Sequence, residues 1–263
     1  MTKEQLLDLY MHSGKHACYQ PLPTFVVEQL GVDVPVNPRW RADHGRLDYL
    51  REHFDFSGQQ VLDVGANTGL FASTLAHEYP DSHCVAWEID ASSAAFIRAL
   101  AGQFGLGNLE VVEQALDYRV AQAMPAHFDS VLLFNVLHHA GVDFDAAEVP
   151  SKESLQAYIQ RFLKALRPSA GCVLYQMGFN WGGDTSQPVA ARNSLAEKLD
   201  YMAAALEGTG WSVEHIGLVL DPETRSIELF DWASARDQAP LCDRLGREGQ
   251  LSEFYLRPLF KLV

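Results

Sequence analysis

No stretch of this chain approaches the roughly 18 consecutive apolar residues that a membrane-crossing helix requires. The opening residues, MTKEQLLDLYMHSGKH, lack the long apolar centre of a secretory signal. Cysteine is scarce: Cys18, Cys84, Cys172 and Cys242 lie far apart and form no Cys-x-x-Cys pair. Reduced thiols in a cytoplasmic protein are the simplest expectation. Positive charge is short as well, with 20 Lys and Arg against 34 Asp and Glu and a formal net charge of −14. So acidic a surface repels phosphate backbones, which disfavours nucleic acid as a partner. There is no low-complexity tract and no internal repeat. A Walker ending of Gly-Lys-Ser/Thr is missing, and so is the Gly-x-Gly-x-x-Gly spacing of a dinucleotide turn.

What is present suits one large α/β domain. The 263 residues are 48% hydrophobic, enough for a sizeable core. Residues 1–43 read as an N-terminal appendage: Leu6, Leu7, Tyr10 and Met11 recur at helical spacing, and a loop with prolines at 21, 23, 35 and 38 comes next. From residue 44 to 263 strands and helices alternate. Leu47, Leu50 and Phe54 share a helical face. Apolar strand-like runs lie at Val61–Val64, Cys84–Ile89, Leu109–Val112, Ser130–Phe134 and Cys172–Met177, with helical segments near 69–78, 91–104, 114–123 and 151–166. Strands apolar on both faces predict a mainly parallel sheet covered by helices on both sides. A helix at about 191–207, a strand in WSVEHIGLVL and a terminal strand in FYLRPLFKLV complete the pattern. The stretch 221–250 reads as an insertion with one strand near Ile227–Phe230 and one short helix.

Chemistry concentrates in VLDVGANTGLF at residues 61–71, a strand running into a glycine turn and a helix. The turn is Asp63-x-Gly65-x-x-x-Gly69, and a second acid, Glu88, ends the next strand in AWEID. A carboxylate at that strand tip can accept both hydroxyls of a ribose. Asp63 stands where it can reach a cationic amino group, which a dinucleotide does not offer.

These residues, together with four later segments, resemble the class I S-adenosylmethionine-dependent methyltransferases. VLDVGANTG is similar to the family's first motif, with Asn67 in place of the commoner glycine, a mild departure because asparagine tolerates left-handed backbone angles. AWEID, NLEVVEQALDY, FDSVLLFNVLHH and LKALRPSAG are similar to the later motifs in the family's order, so the resemblance spans about residues 44–178. It implies a seven-stranded sheet with an antiparallel terminal strand, to which the polar-aromatic, proline-rich residues 1–43 are expected to add an N-terminal helical lid. It also implies S-adenosyl-L-methionine as cofactor, held by Asp63, Gly65, Asn67, Gly69, Glu88, Ile89, Ala115, Leu116 and Phe134. The family's Asp beside the adenine falls at Ala115, with Asp117 two residues on.

The acceptor is then expected beyond the ends of the fourth and fifth strands. His138 and His139 are the candidate general bases, since imidazole titrates near neutrality. Tyr19, Trp40, Arg41, Tyr175 and Trp181 are the candidate substrate contacts, and Tyr10, His12, Lys15 and Tyr19 are expected to close over the site. His12-x-x-x-His16 with Cys18 has metal-like spacing, but Gly14 interrupts it and no fourth ligand is evident, so no metal is expected. A narrower likeness, RWRADHGRLDYL with VLHH, is similar to the tRNA wobble-uridine carboxymethyltransferases. Three functions are open: methyl transfer to oxygen, nitrogen or carbon of a small molecule; tRNA (carboxy)methylation; and a non-catalytic cofactor-binding module.

Overall fold

The computed structural model describes residues 2–12, 18, 20–32, 34, 42–124 and 127–263. Three helices lead in: α1 (Lys3–Met11), α2 (Thr24–Leu30) and α3 (Asp43–His53). Strands and helices then alternate: β1 (Gln60–Val64), α4 (Leu70–Glu78), β2 (His83–Glu88), α5 (Ala91–Phe104), β3 (Leu109–Glu113), α6 (Tyr118–Gln122), β4 (Phe128–Phe134), α7 (Leu155–Leu166) and β5 (Ala170–Gln176). The chain ends with α8 (Leu195–Leu206), β6 (Val213–Val219), β7 (Ile227–Phe230), α9 (Trp232–Asp237), α10 (Ala239–Arg247) and β8 (Leu259–Leu262).

Among the described residues eight strands form one sheet in the order β3-β2-β1-β4-β5-β8-β6-β7. The first five are parallel, while β8 runs antiparallel between β5 and β6. The expected mainly parallel sheet with an antiparallel last strand is therefore present, with one strand more than the seven expected. The eighth is β7, the strand expected near Ile227–Phe230 in the 221–250 insertion, which pairs antiparallel with β6. That insertion also holds two helices, α9 and α10, where one was expected.

Pleating divides the core in two. Val131, Leu133, Val173 and Tyr175 point to the face covered by α7 and α8, where Tyr158, Phe162, Leu163, Leu199 and Met202 pack. Leu132, Phe134 and Leu174 point to the other face, covered by α1 to α5. This second cluster recasts the N-terminal appendage. Leu6 and Tyr10 of α1 and Phe25 and Val26 of α2 are buried in it. Phe25 also stacks on His77 at 4.0 Å and meets Phe104 edge-on at 5.2 Å. The segment after Pro23 is thus a packed helix, not loop. Pro21 and Pro23 precede the helix, where a missing N–H costs nothing.

Order reverses between β2-β1 and β1-β4. At such a switch point successive helices leave on opposite faces, and a crevice opens beyond the carboxyl ends of the strands. No described helix is long and apolar enough to cross a membrane.

Candidate functional site

A cavity of about 650 Å³ occupies that crevice, within the size range of small-molecule sites. One half is built on the glycine turn. Gly65 has φ +66°, and a Cβ there would sit 2.7 Å from Val136 Cγ2. Gly69 has φ +75°, and a Cβ would meet Ile97 Cγ1 at 2.8 Å. Only glycine satisfies both the angle and the approach. Asn67 holds the left-handed region between them at φ 55°. The turn is tied to β2 because the N–H groups of Gly65 and Ala66 donate to the Trp87 carbonyl at 2.8 and 3.2 Å.

Two buried carboxyls face this half. Glu88 accepts from Asn67 N and Asp90 N, each at 2.7 Å and each on a different oxygen. Both oxygens keep a second lone pair for a ligand. Burial pushes its carboxyl upward in pKa against those two donors. Asp63 accepts from Ala72 N at 3.2 Å. Burial, opposed by that N–H and assisted by the nearby Glu88, raises Asp63 to about 7. Ile89, Ala115, Leu116 and Phe134 also line the cavity, whereas Gly69 lies behind its wall. Asp117 is occupied in capping α6, accepting from Val120 N at 2.8 Å.

The other half carries the histidines. His138 is buried, and its Nδ1 accepts from Gly178 N–H at 3.3 Å. Burial, with the charges of His139 and Arg257, holds it well below the ordinary histidine range. A neutral ring with Nδ1 accepting carries its proton on Nε2, so it is a donor and a poor base. The expected role of His138 as base is therefore not favoured by its surroundings. His139 differs: its Nδ1 lies 2.8 Å from Asp143 Oδ2, and both residues line the cavity. A carboxylate beside Nδ1 favours the proton there and the lone pair on Nε2.

The candidate substrate contacts fare unevenly. Tyr175 is fully buried on the opposite face of β5, its hydroxyl donating to Met177 Sδ at 3.0 Å. Pleat parity sends it into the core and aims Gln176 toward α3. Trp181 is also off the cavity wall, because its indole N–H donates to the Ala140 carbonyl at 2.8 Å. Tyr19, Trp40 and Arg41 lie outside the described residues, as do Lys15 and His16. Of the residues expected to close over the site, Tyr10 packs on Phe96 instead, and His12 is exposed beside Asp8.

Several wall residues escaped the sequence reading. Arg46, on α3, pairs with Asp43, donates to Gln176 Oε1 at 3.1 Å and lies over the rings of Phe71 and Phe134. The signal was available: Asp43, Arg46, Leu47 and Leu50 share one helical face. Arg257 comes from the chain just before β8. It pairs with Glu253, stacks on Phe254 and donates to Asn135 Oδ1 at 2.7 Å. Nothing local in the sequence announces it.

Residues 62–172 match the family model of a methyltransferase domain. Among curated proteins, 112 residues are 32% identical to ribosomal RNA small subunit methyltransferase C of Pseudomonas fluorescens, covering 40% of this chain and 32% of that protein. A further 105-residue match is 29% identical to ubiquinone biosynthesis O-methyltransferase of Xylella fastidiosa, covering 40% and 41%. The chain thus spans less than half the length of these relatives. Among solved structures, magnesium protoporphyrin IX methyltransferase from Synechocystis PCC 6803, with bound SAM, superposes with a TM-score of 0.53. That match covers 99% of this chain and 96% of the other at 14% identity, a likeness of fold.

Proposed function

We propose, from the match of residues 62–172 to a methyltransferase domain, that the chain is a class I, S-adenosylmethionine-dependent enzyme that methylates a protic oxygen or nitrogen of a small molecule. The observation that supports this most is one cavity uniting the Asp63–Gly65–Glu88 cradle with the His139–Asp143 pair. The residues present fit the cofactor. Gly65, which lines the cavity, leaves no room for a Cβ beside Val136, and Glu88 keeps an acceptor site on each oxygen. The indole N–H of Trp87, in the wall, is buried with no partner among the described residues.

Glu88 would hold the ribose hydroxyls, and Ile89, Ala115 and Leu116 would flank the adenine. Asp63 would take the ammonium group. The bound cofactor supplies a methyl group already activated by a positive sulfonium. The protein's own tasks are alignment, exclusion of water and removal of a proton. Nε2 of His139 would take that proton, with Asp143 holding the ring and stabilising the imidazolium.

Charge argues for a neutral or cationic acceptor. Arg46 and Arg257 are both already paired, with Asp43 and Glu253, while Asp63, Glu88, Asp90 and Asp143 also line the cavity. The balance is negative, which suits a cationic cofactor and opposes phosphate-rich acceptors. Incubation with methyl-labelled cofactor and either a small-molecule extract or total RNA tests the acceptor class. Label is expected in the small-molecule fraction; label confined to RNA would overturn the reading.

Two further results are expected. Glu88→Ala should weaken S-adenosylhomocysteine binding by about 1.5–3 kcal/mol, roughly 10- to 150-fold, as loss of charge-assisted hydrogen bonds does. Unchanged affinity by titration calorimetry would refute the ribose role. The second concerns pH. An ammonium ligand needs ionised Asp63, whose carboxyl is raised to about 7 in the folded protein. Binding below that pH must first expel a proton, so affinity should fall by up to about tenfold per pH unit on acidification and level off above. Calorimetry from about pH 5.5 to 8.5, spanning that carboxyl's titration, reads this directly, and Asp63→Asn should flatten the profile.

A further inference from the structure

Gln20 belongs to the N-terminal segment, 43 residues before Asp63 in the chain, yet its buried side chain lines the cavity. Its backbone is pinned from behind. The hydroxyl of Tyr10, itself fully buried and packed on Phe96 of α5 at 5.5 Å, donates to the Gln20 carbonyl. Its side chain reaches the start of α4, a helix whose N-cap, Gly69, has no side chain to offer. Gln20 Oε1 lies 3.4 Å from both Leu70 N and Thr68 Oγ1. Because Leu70 N can only donate, the oxygen of the amide must face α4. The NH₂ group is then the part turned elsewhere, and among the described residues it has no partner.

Two residues further along the same helical turn, Ala72 N donates to Asp63. Gln20 and Asp63 therefore hang from one turn of α4, an amide donor beside a carboxyl acceptor. Arg46 is the third group in this corner, close enough that its charge lowers the Asp63 pKa. The corner offers N–H donors and a carboxylate together, which is the complement of a zwitterionic amino acid. The remaining wall assigns the other parts of the cofactor: Glu88 suits vicinal hydroxyls, and Ile89 with Leu116 suits a flat base. By elimination the amino-acid end falls here.

We propose that Gln20 is a cofactor-binding residue whose amide NH₂ donates to the amino-acid carboxylate of S-adenosylmethionine, with Arg46 opposite and Asp63 on the ammonium. The inference rests on the cofactor reading above. It makes the N-terminal segment a working part of the binding site, so the glycine turn and the strand tips alone leave that site incomplete.

The test compares two nucleosides that differ in the group concerned: S-adenosylhomocysteine, which carries the amino-acid end, and 5′-methylthioadenosine, which lacks it. Gln20→Glu keeps an oxygen for Leu70 N but replaces the donor by a negative charge; Gln20→Met removes both functions at similar volume. Titration of the full-length protein should show S-adenosylhomocysteine weakened about tenfold or more in both variants, the larger loss in Gln20→Glu. Affinity for 5′-methylthioadenosine should stay at the wild-type value. Equal weakening of both nucleosides would mean that Gln20 merely braces α4, and unchanged affinity for both would remove it from the site; either result overturns the proposal. Failure of the wild-type protein to bind either nucleoside would instead overturn the cofactor reading, and this inference with it.

Discussion

His139→Ala is expected to lose roughly 10²–10⁴-fold in single-turnover rate, the usual contribution of a positioned general base. The loss should appear in the chemical step and not in cofactor affinity, because His139 belongs to the acceptor half of the cavity. Asp143→Asn should fall between wild type and His139→Ala, since an amide beside Nδ1 neither stabilises the imidazolium nor selects the tautomer. His138→Ala is the contrasting case. Its ring is buried, neutral and occupied by Gly178 N–H, so the expected damage is to stability and loop geometry. Rates within about tenfold of wild type for His139→Ala would show that alignment alone carries the reaction.

Removing residues 1–41 is expected to abolish cooperative thermal unfolding. The sequence reads residues 1–43 as an appendage, but α1 and α2 bury Leu6, Tyr10, Phe25 and Val26 in the cluster shared by β1, α4 and α5. At about 1.5–3 kcal/mol for each large side chain taken from water, their removal costs about 6–12 kcal/mol. That is comparable with the whole stability of an ordinary domain, about 5–15 kcal/mol. It would also expose the facing side chains, Phe96 and Phe104 among them. A truncated protein that still melts in one sharp transition near the wild-type temperature would show the helices to be an overlay. Tyr10→Phe is the milder probe: it keeps the packing and removes only the hydroxyl that pins Gln20.

The glycine-turn half of the cavity was legible because its features are local. Asp63, Gly65, Asn67 and Gly69 sit within seven residues, and what they must do depends on φ angles, a strand end and the first turn of the next helix. Glu88 is legible too, because parallel strands of similar length bring their tips together. Ile89 and Leu116 are placed by the same register. The histidine half was less legible. His139 stood out by residue type, but what separates it from His138 is partners: a carboxylate four residues on for one, a backbone N–H 40 residues away for the other.

Composition, hydrophobic period and turn chemistry by themselves determined the parallel α/β sheet, the glycine turn that ends β1 and the acidic character of the chain. These are properties of near neighbours and of sums, and they survive without knowing how helices pack. Only the tertiary structure decided that Tyr175 is core while Gln176 reaches Arg46, since a single step along a pleated strand exchanges the two faces. It alone brought Arg257, from beside the last strand, onto Asn135 at the end of β4, and Gln20, from before the first strand, onto the helix that succeeds the glycine turn. Each contact joins segments 50 or more residues apart in the chain. Such pairings are set by which faces must be buried together, and no spacing within either segment encodes the partner.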